Sequence, residues 1–341
     1  MDSLTQIVLG AAVGEAVLGN KLGNKAMLLG AIAGTIPDLD VLAKLISTDP
    51  IFELKTHRAY SHSLLTHVLI SFPLAWLAAR WSKSDVSKTS WYWFWFLGLF
   101  THALLDCCTT YGTRLFLPFS DYQVAFNNIS VIDPLYTIPW LILLIVALFF
   151  KRNSKTRKGL TRSGWILSSA YMLLTFFLKW GVHTKFKNTL KKEHLSYENL
   201  NTTPTILNAM LWAGIAYDDD SLSVAEYSWL NRDIPIKWAR YKRYKEVADS
   251  FPGESMDVSL WFSDGQYFFE PKGDTVRMYM TKFGRMNYDE IEAEKAFLFY
   301  SIIFKDSMGN VVYEQKTPRD KEFDYKMAFK QLSDRIGLTH K

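Results

Sequence analysis

The chain has 341 residues, 49% of them apolar, with 12 Trp, 23 Phe and a formal net charge of +5. Its length accommodates two domains, and its charge is uneven: residues 1–180 carry 16 Lys/Arg against 10 Asp/Glu, and residues 181–341 carry 23 against 24. Positive excess confined to the apolar half, with no basic face interleaved with stacking aromatics, indicates membrane loops rather than nucleic-acid binding, and the adjacent Cys107 and Cys108 exclude a disulfide framework.

Residues 4–18 are apolar and rich in small side chains, without the preceding Lys or Arg of a signal peptide, so they read as a retained helix. A polar turn from Gly19 to Lys25 leads to a second apolar arm at 26–36, which Pro37 ends by excluding its predecessor from helical geometry. Each arm is shorter than the roughly 20 residues of a full span. Gly10/Gly14 and Gly30/Gly34 nevertheless recur at four-residue spacing, which lets two helices approach closely in a bilayer. Longer apolar stretches follow at 64–81, 91–105, 134–150 and 163–180. Residues 1–180 are therefore expected to form an α-helical membrane domain of about six apolar helices, the first two a short hairpin.

Alternate connections are basic: Lys21 and Lys25, then Arg80, Lys83 and Lys88, then Lys151, Arg152, Lys155, Arg157, Lys158 and Arg162 in a loop at 151–162. The positive-inside rule makes them cytoplasmic and puts both termini outside. Beyond residue 181 the period changes. A basic amphipathic helix at 184–198 is expected to lie on the membrane surface. Strand-like runs follow at 221–229, 256–262, 266–270, 275–280 and 297–304, separated by turn signals such as Ser263-Asp264-Gly265. Residues 181–341 are expected to be a soluble α+β domain outside the cytoplasm. His183, His194 and His340 lack partnered spacing and read as surface residues.

Three polar clusters sit at helix ends on the predicted outer face: Pro37-Asp38-Leu39-Asp40, His57 to Ser63, and Thr101 to Asp106. His102 and Asp106, four apart, share a helical face and can grip one cation. Asp38 and Asp40 point to one side only if the backbone is extended. His57 and His62, five apart, cannot both face one way on a helix, so at least one belongs to the lead-in before Leu64. Ionisable groups at membrane depth are expensive and mark function. Asp38, Asp40, His57, His62, His102 and Asp106 make a mixed oxygen and nitrogen donor set suited to zinc, manganese or iron. One or two divalent ions, zinc or manganese foremost, would relieve the repulsion of three carboxylates. Such an ion lowers the pKa of a bound water for attack on phosphorus or a carbonyl.

Arg58 and Arg114 are candidates for holding an anionic substrate group, Arg114 equally an interfacial anchor. Asp133, before Pro134, is a helix cap or a catalytic acid or base. Glu15 faces the site or, the simpler reading, another helix; His67 reads as a packed, hydrogen-bonded histidine, and thiolate ligation by Cys107 or Cys108 is not expected.

PDLD at 37–40, HRAYSHS at 57–63 and THALLD at 101–106, followed by Thr110-Tyr111-Gly112-Thr113-Arg114 and Leu117-Pro118-Phe119, occur in the order that resembles the YdjM-like, or YbcI-like, membrane-bound metal-dependent hydrolases of bacteria. The resemblance covers roughly residues 1–180. It implies a multi-pass protein of the bacterial inner membrane with hydrolase activity, and it carries the ligand role onto Asp38, Asp40, His57, His62, His102 and Asp106. Family members commonly show a His near the start, where this chain has Gln6, a poorer ligand. The expected function is a membrane-bound metal-dependent hydrolase acting on a phosphoester or other ester of a membrane-associated substrate, such as a lipid or isoprenoid phosphate. The alternative is a non-enzymatic transporter or metal-binding scaffold, whose polar residues would run through the membrane. No HExxH motif supports an intramembrane metalloprotease.

Overall fold

Glycine builds the first hairpin. In the computed structural model, which describes residues 1–47, 49–285, 293–297, 299–316 and 325–338, α1 (Ser3–Leu22) begins where the Asp2 carboxylate accepts the Thr5 N–H at 3.1 Å, and it ends at Gly23, whose φ of 58° favours a residue without Cβ. The chain then reverses into α2 (Asn24–Ala33). A Cβ at Gly10 would stand 2.2 Å from the Gly30 carbonyl oxygen, and one at Gly14 would stand 2.1 Å from that of Ala26. The two backbones therefore touch where alanine would not fit, as the glycine spacing predicts. After Pro37 the chain continues as a 3-10 helix, Pro37–Leu45, bent 48° from α2.

A short α3 (Pro50–Thr56) and a single 3-10 turn, Tyr60–His62, lead into α4 (Leu64–Trp81), which packs on α5 (Lys88–Cys107). α6 (Pro134–Leu148) and α7 (Lys155–Lys192) complete the helices before the strands. Val8, Leu9, Ala12 and Val13 of α1 form a core with Leu105 of α5 and with Tyr136, Trp140 and Leu144 of α6. By contacts the chain divides into two units, Met1–Phe176 with Ile206–Asn208, and Phe177–Thr205 with Ala209–Lys341.

Among the described residues, α4 and α7 are long and apolar enough to cross a membrane, with a third crossing if α2 and the bent 3-10 helix form one broken span. Of the about six apolar helices expected, two or three qualify as candidate spans by length and composition. α1 and α5 reach 20 residues each, but Gln6, Glu15 and Asn20 dilute the first and Ser90, Tyr92 and His102 the second, while α6 is apolar but only 15 residues long. The loop expected at 151–162 is also shorter, because α7 starts at Lys155.

The second unit holds two four-stranded antiparallel meanders. The first runs β1 (Asn199–Pro204), β2 (Leu211–Tyr217), β3 (Ser221–Ser228), β4 (Ala239–Lys242). The second, after α8 (Glu254–Ser263), runs β5 (Tyr267–Lys272), β6 (Thr275–Met280), β7 (Tyr300–Lys305), β8 (Val311–Lys316), with short α9 (Ala293–Ala296) before β7 and α10 (Tyr325–Ile336) after β8. Two expectations fail here. The run at 256–262 is helix α8, not strand: Met256, Ser259, Phe262 and Ser263 are buried at helical spacing, and a short apolar run does not distinguish the two by itself. The 184–198 segment does not lie on a membrane surface either. It is the end of α7, and its apolar face, Val182, Phe186 and Leu190, is fully buried, with Val182 and Phe186 packed against Trp212 and Ala225. His194 is exposed, His183 is half-buried with Nδ1 3.0 Å from the Thr202 hydroxyl, and His340 lies outside the described residues.

The glycine contact yields a stability test. Gly30→Val should destabilise the protein by roughly 1–3 kcal/mol or more, the cost of overpacking, because its first added carbon meets backbone rather than a flexible side chain. Gly159→Ala, inside α7 and with nothing within 4 Å of the added carbon, should not lower the melting temperature in detergent, alanine being the better helix residue by roughly 0.5–1 kcal/mol.

Candidate metal centre

The bend at Pro37 separates the two carboxylates that follow it. Because the segment is 3-10 helical rather than extended, Asp38 and Asp40 point differently. Asp38 faces His102, 3.3 Å away, whereas Asp40 accepts from the Arg58 backbone N–H, the Ser61 hydroxyl and the His57 ring, each at 2.8 Å. His57 caps the end of α3 and His62 lies in the 3-10 turn, so neither sits on α4. His102 and Asp106 do share a face of α5, as their spacing requires.

Asp38, His62, His102 and Asp106 bring one donor atom each to within 4.8 Å of one another, and this group could hold a metal ion. His62 Nε2 is 3.1 Å from His102 Nε2 and 3.3 Å from Asp106 Oδ2, and 3.7 Å separates it from Asp38 Oδ1. Zinc bonds of about 2.0–2.1 Å imply a tetrahedron edge of about 3.3–3.4 Å between donors, close to these separations.

The ring protons follow from the neighbours. His102 Nδ1 is 2.6 Å from the Gly34 carbonyl, which can only accept, so Nδ1 carries hydrogen and Nε2 a lone pair. Ser61 gives its one hydroxyl proton to Asp40 and therefore accepts from His62 Nδ1 at 2.9 Å, which leaves a lone pair on His62 Nε2 as well. Two lone pairs thus face each other beside Asp106 Oδ2, a buried oxygen with no hydrogen-bond partner. A cation resolves both conflicts, and hydrogen bonds that fix each ring's tautomer are what metal-bound histidines use. That assignment holds for neutral His62; burial works against charging it, but Asp106 and Asp38 raise its proton affinity above that of an ordinary imidazole, so a proton on Nε2 competes with a cation for this place.

Charge around Asp106 is partly balanced already. Arg58 Nε lies 2.9 Å from Asp106 Oδ2 and its Nη1 donates to the Thr109 hydroxyl, while Gln6 Nε2 donates to Asp106 Oδ1 at 2.9 Å and the Met1 amino group pairs with the same oxygen. Gln6 therefore supports a donor through its amide. Arg58 is buried, has a left-handed φ of 54° and stacks on Tyr111 at 4.9 Å. That backbone state costs roughly 1–2 kcal/mol, and hydrogen bonds from its N–H to Asp40 and from Arg114 N–H to its carbonyl hold it.

The other expected residues lie around this group. Asp40 and His57 pair with each other beside it. Arg114 donates to the Lys55 carbonyl and stands 3.8 Å from Asp121. Asp133 caps α6, accepting from Leu135 and Tyr136 N–H, and also accepts from the Tyr171 hydroxyl at 2.9 Å. His67 is buried and donates to the Ser61 carbonyl at 2.8 Å, which steadies the turn carrying His62. Glu15 forms a two-pronged pair with Arg157, and both cysteines are free and buried. Ser61, Thr109 and Tyr111 gained no role from the sequence, although their hydroxyls and ring stand within the same motifs.

A helical unit with candidate membrane spans and a buried His/Asp cluster defines the class as a membrane protein with a possible metal site. The family model described as YdjM inner membrane protein matches residues 1–182, and the chain belongs to that family. No curated protein and no solved structure matches the chain.

Ser61→Ala removes the bridge between Asp40 and His62 while leaving all four converging donors in place. Metal affinity, read by equilibrium dialysis with zinc, should fall roughly 10–100-fold, and His62→Ala should abolish stoichiometric binding.

Proposed function

We propose that the protein is a metal-dependent hydrolase of the membrane, acting on a phosphoester or other ester of a membrane-associated substrate such as a lipid or isoprenoid phosphate. The observation that carries this reading is the convergence of Asp38, His62, His102 and Asp106, with the two imidazole nitrogens 3.1 Å apart beside a buried Asp106 oxygen. Asp38, His62, His102 and Asp106 would hold a divalent ion, zinc or manganese, and a second ion would draw on Asp40 and His57. When bound, the ion supplies Lewis acidity and lowers the pKa of its water toward neutrality.

The chain's own groups then have distinct tasks. His57 presents Nε2 away from Asp40, which holds its Nδ1 proton at 2.8 Å, so the pair is built to accept and pass on a proton. Arg58 keeps Asp106 oriented, and its planar fork suits an anionic oxygen arriving at the cluster. Arg114 is the second candidate for that anion. Asp133 is the remaining candidate acid or base, held by Tyr171. The site end holds the start of α1, the ends of α2 and α5 and the start of α4. The basic connections gather at the other end, where Arg152 donates to the Lys21 carbonyl and Asn24 to that of Leu148. The positive-inside rule makes that second end cytoplasmic and places both termini, the C-terminal domain and the site outside.

Metal analysis of the purified protein, alongside a hydrolysis screen on phospholipids and isoprenoid phosphates, tests the reading: bound metal without turnover on any ester would favour the scaffold alternative. Arg58→Lys keeps the charge beside Asp106 and loses the fork, so turnover per bound metal ion should fall roughly tenfold or more, one charged hydrogen bond being worth about 1.5–3 kcal/mol. Undiminished turnover removes Arg58 from substrate binding. A reporter fused after Lys341 should be active only in its exported form, and cytoplasmic activity would invert the orientation.

A further inference from the structure

At the end of the helices away from the metal cluster lies a groove of about 560 Å³, within the roughly 300–1,000 Å³ of small-ligand sites. Trp91 lines it and His102 belongs to the cluster, and they stand 11 residues apart on α5, about 16 Å at 1.5 Å per residue. The two sites are therefore separate.

The walls are apolar, Leu29 from α2 and Leu74 and Leu77 from α4, and three tryptophans, Trp81, Trp91 and Trp95, join them. The charge at its rim calls for an anionic ligand. Lys25 and Lys83 also line the groove, both exposed and neither in an ion pair among the described residues. An apolar trough with two exposed ammonium groups at its rim matches an amphiphile whose head is anionic. Trp81, 75% exposed beside Lys83, adds the aromatic and basic pairing of a membrane–water interface, the depth at which a lipid phosphate sits.

We propose that this groove binds one anionic diacyl phospholipid, with an acyl chain along Leu29, Leu74 and Leu77 and the phosphate between Lys25 and Lys83. A zwitterionic phosphatidylcholine brings a choline cation to the same two lysines and loses the charge match. The lipid here is a resident ligand and does not depend on the reaction at the metal cluster.

Native mass spectrometry of the full-length protein in detergent, titrated with phosphatidylglycerol or phosphatidylcholine, tests this. The wild type should retain one phosphatidylglycerol at least tenfold more tightly than phosphatidylcholine. Lys25→Gln with Lys83→Gln, two exposed changes that break no ion pair, should weaken phosphatidylglycerol at least tenfold and erase the preference. Leu77→Trp, which fills the trough and keeps both lysines, should also release it, whereas Lys155→Gln with Lys158→Gln should retain it. Equal retention of the two lipids by the wild type, undiminished phosphatidylglycerol in the double lysine variant, or displacement by millimolar inorganic phosphate would each overturn the proposal.

Discussion

Two imidazole nitrogens, 3.1 Å apart and each with its proton committed elsewhere, are the constraint on which the helical unit turns. Their approach is unfavourable without positive charge between them, so the surrounding structure must hold them there. Gly34 can reach His102 because α1 and α2 touch through glycine, and Ser61 can orient His62 because His67, one turn into α4, anchors the Ser61 carbonyl. Arg58 is held in a backbone state that few side chains adopt, with Asp40 and Arg114 bonding to its peptide groups. Strain and buried charge are thus gathered at one place, where a polar network is worth its cost only if each member is satisfied.

The parts of the fold legible in the sequence were those set by short-range pattern. Glycines four apart announced the close helix pair, and residues four apart on α5 announced the shared face of His102 and Asp106. Five of the strand-like runs were read from alternation and turn residues, and four are strands. The fifth, 256–262, shows the limit, since an apolar run of that length carries no period that separates helix from strand until its partners are known. β1, β2 and the repeated meander were invisible for a related reason: each is fixed by pairing with its neighbouring strands, not by a pattern within its own run.

Of the residues that the sequence offered as ligands, Asp38, His62, His102 and Asp106 converge, and Asp40 and His57 do not join them. Spacing could not say that Asp38 and Asp40 diverge, because that depends on the Pro37 segment coiling as a 3-10 helix instead of extending. Nor could it say that Asp40 reaches His62 through Ser61, a contact in which an unremarkable serine sets which nitrogen is free. Gln6 looks like a lost ligand from sequence alone. In the fold its amide restrains Asp106 Oδ1, and the oxygen that turns to the two imidazoles and Arg58 is the other one, Oδ2.

The same logic separates the two buried ion pairs of the helical unit. At the basic end Arg157 spends its guanidinium on both oxygens of Glu15, on the Asn24 side chain and on the Phe150 carbonyl. That pair is saturated, and it ties α1 and the turn into α2 to the connection between α6 and α7. Arg58 and Asp106 form the opposite kind of pair: the guanidinium leans on a carboxylate oxygen that still lacks a hydrogen bond. A saturated pair fixes helices and has nothing left to offer a ligand, whereas an unsaturated one beside two opposed lone pairs retains binding capacity. Glu15 and Asp106 are both buried acids of the helical unit, and what distinguishes structure from chemistry between them is the number of lone pairs the protein has left unused.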